Sequence, residues 1–301
     1  MIRCYILSNR TAVHPISVKK IMDEVKLVFL GTGGGRFATI TQKRRTGGIR
    51  FLSKSINIHL DPGPGALIYS LDAGLNPQKI KAILVSHRHP DHYSNAEILV
   101  EAMTWGMLKK RGIVAATPNI LVGNEKTGPV ISTYHQSMID QAIALKPGVK
   151  FKIGNTKIVS TKTRHTDPET VGFRFHVPEI GDIGYTADTE YFEGIEEEYK
   201  GVRILILSVM RPLGSPWIGH MTPKEAAKIV DNVKPEIAIA THFGMKMLFS
   251  GPNYEVKMIE NTTGVPTIAA FDGMKVHVGK RVTVKRSGKK PHQKEEYLKR
   301  N

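Results

Sequence analysis

The sequence contains a single cysteine, Cys4, among 301 residues. One thiol excludes an internal disulfide and offers no recognisable cysteine pattern for metal binding. Long apolar runs are missing as well, since no stretch approaches the roughly 20 residues that a transmembrane helix needs. Residues 1–7 are followed by basic residues without a small-residue cleavage site, which predicts that the chain carries no signal peptide. These absences together predict a cytoplasmic protein with no membrane partner.

Acidic residues are also scarce, with 27 Asp and Glu against 43 Lys and Arg, and the formal net charge is +16. Such an excess favours polyanionic partners: nucleic acid, phosphorylated small molecules or an anionic surface. Residues 280–301 hold nine basic and two acidic residues, so this short end supplies +7 of the +16. Its charge fits two roles equally well, a solubilising tail or the binding of phosphate groups.

The remaining composition is that of an ordinary globular protein, with 41% hydrophobic and 23% charged residues. No stretch has the composition of a linker, so we expect one large hydrophobic core. The sequence therefore predicts an N-terminal extension over residues 1–24, one domain over residues 25–279, and a basic C-terminal strand and tail over residues 280–301.

The motif His-Arg-His-Pro-Asp-His at residues 87–92 directly follows an apolar run at residues 82–85. Its first two histidines are two residues apart, so at the end of a strand they project to the same face. The proline then breaks the extended path and lets the aspartate and the last histidine turn inward. Divalent ions such as Zn²⁺ bind this mixture of imidazole nitrogen and carboxylate oxygen. The four candidate metal ligands are His87, His89, Asp91 and His92.

Four groups this close in sequence cannot complete the coordination of two metals, so further ligands are needed. Three candidates follow apolar runs that read as strands: His165, Asp188 and His242. Alone, a strand-end histidine is more often a hydrogen-bonded surface group, and a strand-end aspartate a turn former or helix cap. The placement that all three share with the first cluster favours a role as ligands.

Three other segments have less distinct patterns. The glycine-rich run at residues 31–36 is not a dinucleotide-binding fingerprint, because Arg36 replaces the third glycine and no helical period follows. Residues 119–122 are predicted to form a strand, and residues 131–145 a helix.

The order of these residues resembles the metallo-β-lactamase superfamily: H-x-H-x-D-H, then a lone His, a lone Asp and a lone His, over about residues 25–278. This resemblance implies an α/β fold, an αβ/βα four-layer sandwich, with two divalent metal ions at one edge of the sheets. Zinc is the expected metal, with manganese and iron as alternatives. The resemblance assigns His87, His89 and His165 to one metal, Asp91, His92 and His242 to the other, and Asp188 to a bridge between them. It also implies that Asp61 orients the metal-binding loop.

The segment Gly-His-Met-Thr-Pro-Lys-Glu-Ala-Ala at residues 219–227 is similar to one in the phosphodiesterase branch of that superfamily, which contains RNase Z and the cyclic-phosphate phosphodiesterases. In that branch the histidine gives a proton to the leaving alkoxide, which implies a catalytic role for His220. A helix-capping box explains Thr222 and Glu225 without any catalytic role. Capping does not explain His220.

The basic run Lys43-Arg44-Arg45-Thr46 is similar to a loop of RNase Z that meets the RNA 3′ end, although Thr41 and Thr46 replace its proline and asparagine. RNase Z also carries a long arm between its lone His and its bridging Asp. Only 22 residues separate His165 from Asp188, too few for that arm. This spacing argues against faithful tRNA 3′ processing.

The predicted function is a dinuclear metal-dependent hydrolase that cleaves phosphodiester bonds with a metal-bridged hydroxide. Its substrate is nucleic acid, RNA or DNA, or a small phosphodiester. Asp91 would orient the nucleophile or accept its proton, and His220 would protonate the departing oxygen. Exposed basic residues that could hold substrate charge are Lys43, Arg45 and Arg211.

Two other functions use the same features. The same two-metal site serves carboxyl ester, thioester or lactone hydrolysis elsewhere in the superfamily. A nucleic-acid-binding scaffold with a vestigial site is the third hypothesis, which the full set of ligands disfavours. A homo-oligomer is compatible with the sequence.

Overall fold

The chain folds around two β-sheets of eight and seven strands. The computed structural model describes residues 24–285. The predicted N-terminal extension, apart from its last residue, and the basic tail beyond Lys285 lie outside the described residues. Within them, no helix is both long enough and apolar enough to cross a membrane.

The strands are short and are spread along the whole described chain. They are β1 (Val25–Phe29), β2 (Ile49–Leu52), β3 (Asn57–Leu60), β4 (Ala82–Val85), β5 (Ile113–Ala116), β6 (Gln141–Ala144), β7 (Lys150–Ile153), β8 (Thr156–Thr161), β9 (Gly172–Val177), β10 (Gly181–Tyr185), β11 (Ile204–Ser208), β12 (Ile237–Thr241), β13 (Thr267–Ala269), β14 (Lys275–Val278) and β15 (Val282–Lys285). The first sheet has the order β15-β14-β1-β2-β3-β4-β5-β6, and the second β13-β12-β11-β10-β9-β8-β7.

The helices connect the strands and cover the outer faces of the sheets. They are α1 (Arg36–Thr41), α2 (Ala66–Asp72), α3 (Pro90–Tyr93), α4 (Ala96–Met103), α5 (Pro118–Leu121), α6 (Thr133–Gln136), α7 (Ile195–Tyr199), α8 (Pro223–Val233), α9 (Met245–Ser250) and α10 (Pro252–Thr263). One 3₁₀ turn, Pro77–Lys79, precedes β4.

Strand β11 illustrates how the layers pack, because all five of its residues are buried. Ile204 and Ile206 lie in the apolar cluster between the sheets, whereas Leu205 and Leu207 lie in the cluster with the helices. A parallel strand that is covered on both faces has this continuous apolar sequence. A third cluster joins β4 and β5 to α4 on the other outer face. The order helix, sheet, sheet, helix confirms the predicted αβ/βα four-layer sandwich.

Two local predictions are wrong, and one helix has no signal in the sequence. Residues 36–41 form helix α1, whose Phe37 and Ile40 are exposed, so the sequence carried no amphipathic period there. Residues 118–121 form the helical turn α5 rather than a strand. Most of the predicted helix at 131–145 is absent, because α6 ends at Gln136 and β6 pairs with β5 at the sheet edge. The Gln and Ala residues of β6 favour a helix intrinsically, and pairing with β5 overrides that preference.

Parallel pairing decides where the candidate ligands meet. β3, β4 and β5 are parallel in the first sheet, as are β10, β11 and β12 in the second. In such sheets, loops at the carboxyl ends of the strands often form the ligand site. His87 comes two residues after β4, Asp188 three after β10, and His242 directly after β12.

Candidate metal centre

The loop after β4 brings its four candidate ligands together within one turn. Strand β4 is fully buried, and Pro90 starts the short helix α3 at its first position. The backbone N–H of His92 donates to the carbonyl of His89 at 2.9 Å. This turn folds Asp91 and His92 back, as the sequence predicts from the proline.

Three imidazole nitrogens form the first group of donor atoms. His89 Nδ1 lies 2.9 Å from His87 Nε2 and 3.0 Å from His165 Nε2. Asp188 Oδ2 lies 4.0 Å from both of those Nε2 atoms. The three histidines that the resemblance assigned to one metal, and the aspartate that it assigned to the bridge, are therefore adjacent in the fold.

Two imidazoles and a carboxylate form the second group. His242 Nε2 lies 3.0 Å from His92 Nε2 and 3.2 Å from Asp91 Oδ2. Asp188 reaches this group as well, with Oδ2 at 3.5 Å from His92 Nε2 and Oδ1 at 3.3 Å from His242 Nδ1. Asp188 therefore lies within 4.0 Å of imidazole nitrogens of both groups.

The protonation of the imidazoles shows why these close contacts suit a metal. His165 Nδ1 donates to the carbonyl of Gly219 at 2.8 Å, and a carbonyl can only accept. In the same way, His92 Nδ1 donates to Asp61 Oδ2 at 2.9 Å. A ring that donates from Nδ1 can bind a metal through Nε2 once Nε2 carries no proton, and two such Nε2 lone pairs repel each other unless a cation lies between them.

The spacing of the donors fits such a cation. Two nitrogens bound to one zinc ion at a tetrahedral angle lie about 3.3 Å apart. The nitrogen separations of 2.9 and 3.0 Å are close to that value. Asp188 Oδ1 and His242 Nδ1 lie 3.3 Å apart but make no hydrogen bond among the described residues, although both atoms are buried. Buried polar atoms usually have a partner, and a metal ion would provide one. The residues at this edge can therefore hold divalent metal.

The pKa shifts within the cluster also favour metal binding. Burial lowers the pKa of the His87 imidazole well below its ordinary value. Burial also opposes the charged form of His92, but nearby carboxylates, Asp188 first, outweigh it and raise the pKa of His92 well above its ordinary value. Burial alone would raise the pKa of Asp188, yet the His242 and His92 imidazoles hold it well below its usual range. Asp188 is thus a charged carboxylate and His87 a neutral imidazole, the states in which these groups bind metal.

Asp61 lies beneath the histidine loop, directly after β3. Its carboxylate accepts hydrogen bonds from the Ser86 backbone at 2.7 Å, the Ser86 hydroxyl at 2.8 Å, His92 Nδ1 at 2.9 Å and the Tyr185 hydroxyl at 2.8 Å. Asp61 has a positive φ of 49°, which aspartate tolerates better than most residues. Four donors therefore fix one carboxylate that in turn fixes the ring of His92, which is the orienting arrangement that the resemblance implied.

His220 borders both groups. Its Nδ1 lies 3.7 Å from Asp188 Oδ2, and its ring centroid lies 4.8 Å from that of His165. Burial lowers the pKa of His220 to about 4. The capping box is also present, because the Thr222 N–H donates to Glu225 Oε2 at 2.8 Å at the start of α8. The cap and the position of His220 beside the centre therefore coexist.

The basic residues proposed to hold substrate have partners of their own. Lys43 Nζ lies over the Phe249 ring at 5.0 Å, and the Arg45 guanidinium lies over the Tyr69 ring at 4.3 Å. Arg211 donates to the Ser215 carbonyl at 2.7 Å. Binding of substrate charge by any of the three has to compete with these contacts.

Sequence reasoning missed Asp167, which ties the two ligand loops together. Its Oδ2 accepts from the backbone N–H of Arg88 at 3.0 Å, between His87 and His89 in the chain. Its carboxylate also accepts from the Asn119 amide at 3.0 and 3.1 Å. No motif marks an aspartate two residues after a histidine, so only the fold reveals this contact across 79 residues of sequence.

The sequence is similar to a known protein family and to individual proteins of archaea. Residues 56–243 match a family described as the beta-lactamase superfamily domain. An uncharacterized protein of Methanocaldococcus jannaschii is 41% identical over 256 residues, which cover 84% of this chain and 95% of that protein. The ribonuclease Z of Pyrococcus furiosus is 32% identical over 114 residues, 38% of this chain and 34% of the enzyme.

Among solved structures, the metallo-beta-lactamase fold protein YhfI from Bacillus subtilis superposes with a TM-score of 0.69. The alignment covers 85% of this chain and 99% of YhfI at 20% sequence identity. At that identity the likeness establishes the shared fold and nothing further.

Proposed function

The chain belongs to the beta-lactamase superfamily and has the donor cluster of a metal-dependent hydrolase, and we propose that its reaction is the hydrolysis of phosphodiester bonds. The substrate is nucleic acid, RNA or DNA, or a small phosphodiester. His220 carries this proposal, because this half-buried imidazole lies beside the centre, with Nδ1 3.7 Å from Asp188 Oδ2, in addition to the three imidazoles of the first donor group and the two of the second.

The proposed ligands follow the two groups of donor atoms. His87, His89 and His165 hold one ion, and Asp188 is shared with the second, whose other ligands are Asp91, His92 and His242. Imidazole nitrogen with carboxylate oxygen suits zinc, with manganese and iron as alternatives. When bound by these residues, two such ions would supply a nucleophile at neutral pH and would stabilise the charge of the phosphoryl group.

Asp91 and His220 have the remaining catalytic roles. Asp91 Oδ2 is fixed by the backbone N–H of Gly35 at 2.7 Å, so it can orient the attacking group or take its proton. His220, whose Nδ1 lies 3.7 Å from Asp188 Oδ2, donates a proton to the departing oxygen. An anionic phosphate beside the ring opposes the effect of burial on its pKa and favours the protonated form.

The relatives and the charge support a phosphodiester, but not tRNA in particular. Several relatives bear the name ribonuclease Z, although the similarity to the enzyme of Pyrococcus furiosus spans only about a third of its length. The excess of basic residues suits anionic substrates. Residues 166–187 contain only β9, β10 and their connections, so the described chain has no long arm between His165 and Asp188.

The proposal is tested with protein loaded with Zn²⁺ or Mn²⁺ against bis(p-nitrophenyl) phosphate and a panel of thioesters, carboxyl esters and lactones. We expect turnover of the phosphodiester that disappears after chelation of the metal. Hydrolysis of the esters without phosphodiester cleavage would identify the alternative carboxyl-directed hydrolase instead.

A further inference from the structure

A loop next to His220 exposes large apolar side chains. Leu213 is 48% exposed, Trp217 59% and Ile218 70%, and they come shortly before the Gly219-His220 pair. Apolar side chains that cluster on the surface beside a site often mark a binding surface. We refer to residues 211–218 as the tryptophan loop.

The tryptophan loop is held in place by polar contacts. Arg211 donates from Nε to the Ser215 carbonyl and from Nη2 to the Ser215 hydroxyl, both at 2.7 Å. Lys246 of α9 donates to the same hydroxyl at 3.1 Å, and the Leu213 N–H donates to Glu255 of α10 at 3.0 Å. These contacts hold the loop at Leu213 and Ser215, directly before the exposed Trp217.

The loop is also continuous with the metal centre. The His220 N–H donates to the Trp217 carbonyl at 3.2 Å, and the Gly219 carbonyl accepts from His165 Nδ1 at 2.8 Å. Three residues of chain place the α-carbons of Trp217 and His220 within about 11 Å of each other. A group attached to a phosphate at the centre can therefore reach the indole.

Cations accompany the exposed ring. The Arg211 guanidinium lies 5.5 Å from the centroid of the Trp217 ring, and Lys246 is bonded to the same loop. An aromatic face with adjacent cations is the arrangement that binds single-stranded nucleic acids, in which bases stack and phosphates pair with positive charge.

We propose that Trp217 forms a stacking subsite for a planar heteroaromatic group, such as a nucleobase, carried on the phosphodiester substrate, with the positive charges of Arg211 and Lys246 held nearby by Ser215. The inference rests on the proposed function, since it places the subsite next to a reacting phosphodiester. It adds a residue that determines which phosphodiesters bind well.

The chain offers a matched control, because its two tryptophans are both exposed and both lie near a cation. Trp105, at the end of α4, lies under Lys109 Nζ at 4.6 Å. Two substrates with the same leaving group complete the design: thymidine 5′-(p-nitrophenyl phosphate), which carries a base, and methyl p-nitrophenyl phosphate, which does not.

For Trp217→Ala we expect kcat/KM to fall about tenfold or more for the thymidine substrate, from the usual strength of base stacking. The methyl substrate should change less than twofold. Trp217→Phe should keep most of the activity toward the thymidine substrate, and Trp105→Ala should change neither. Equal loss on both substrates, or no loss on either, overturns the subsite.

A binding measurement separates this inference from the proposed function. In Trp105→Phe, Trp217 is the remaining indole, and adenosine 5′-monophosphate should quench its fluorescence while ribose 5-phosphate should not. If the wild type cleaves no phosphodiester, the proposed function fails, and the quenching still decides the subsite. Equal effects of the two ligands, or emission that changes only with protein concentration because copies associate through this loop, overturn the subsite.

Discussion

Replacement of His220 by alanine should lower kcat for a dinucleotide by about 100-fold to 10,000-fold, the range typical of a lost general acid. The reason is the leaving group. A nucleoside alkoxide is a strong base and departs slowly without a proton, and His220 is the imidazole placed beside the centre to supply one. The measurement is steady-state hydrolysis of thymidylyl-thymidine by zinc-loaded protein.

The same variant should lose much less activity on bis(p-nitrophenyl) phosphate, because p-nitrophenolate is a weak base and leaves without protonation. The zinc content should stay that of the wild type, since His220 is not among the proposed ligands. His135→Ala is a suitable control, because this histidine is paired with Glu97 at 3.0 Å on another part of the surface. Equal losses on both substrates would show that His220 acts in some way other than as an acid.

Replacement of Asp188 by alanine should abolish binding of both metals and reduce turnover to background. Asp188 is the carboxylate shared by the two donor groups, with Oδ2 3.5 Å from His92 Nε2 and 4.0 Å from His87 Nε2. Even residues that only orient a ligand cost 10- to 100-fold in metal affinity when replaced, and a shared ligand should cost more. Zinc per chain, measured after dialysis against a weak chelator, should fall below one.

Asp182→Ala is the matched control, since Asp182 lies near the other end of β10 and pairs with Arg174 at 2.8 Å. It should retain the metal and the activity. Thermal unfolding without metal verifies that both variants fold. Full zinc content in folded Asp188→Ala would contradict the shared role of this carboxylate.

The sequence was sufficient for the parts of the site that are local. The His-x-His-x-Asp-His motif lies on one loop, and its proline forces the turn that brings Asp91 and His92 inward. Asp188 and His242 could be anticipated because each follows a strand of the parallel set, and parallel strands place their carboxyl ends at one edge. His165 follows β8, which is antiparallel to both its neighbours, so this rule does not place it.

Other features depend on contacts that no local pattern records. Strand β6 has a helix-favouring sequence and becomes a strand only because β5 offers it an edge. Asp167 connects the two ligand loops by accepting a hydrogen bond from the Arg88 backbone N–H, which is 79 residues away in the chain. Trp217 is an ordinary apolar residue in sequence, and only its exposure on an anchored loop beside His220 marks it.

The most direct test is the titration of zinc into metal-free protein, with cleavage of bis(p-nitrophenyl) phosphate followed at each addition. A phosphodiesterase with the two donor groups described here should gain activity until about two equivalents of zinc are bound and then reach a plateau. Absence of phosphodiester cleavage at every zinc level, or full activity in the metal-free protein, would contradict it.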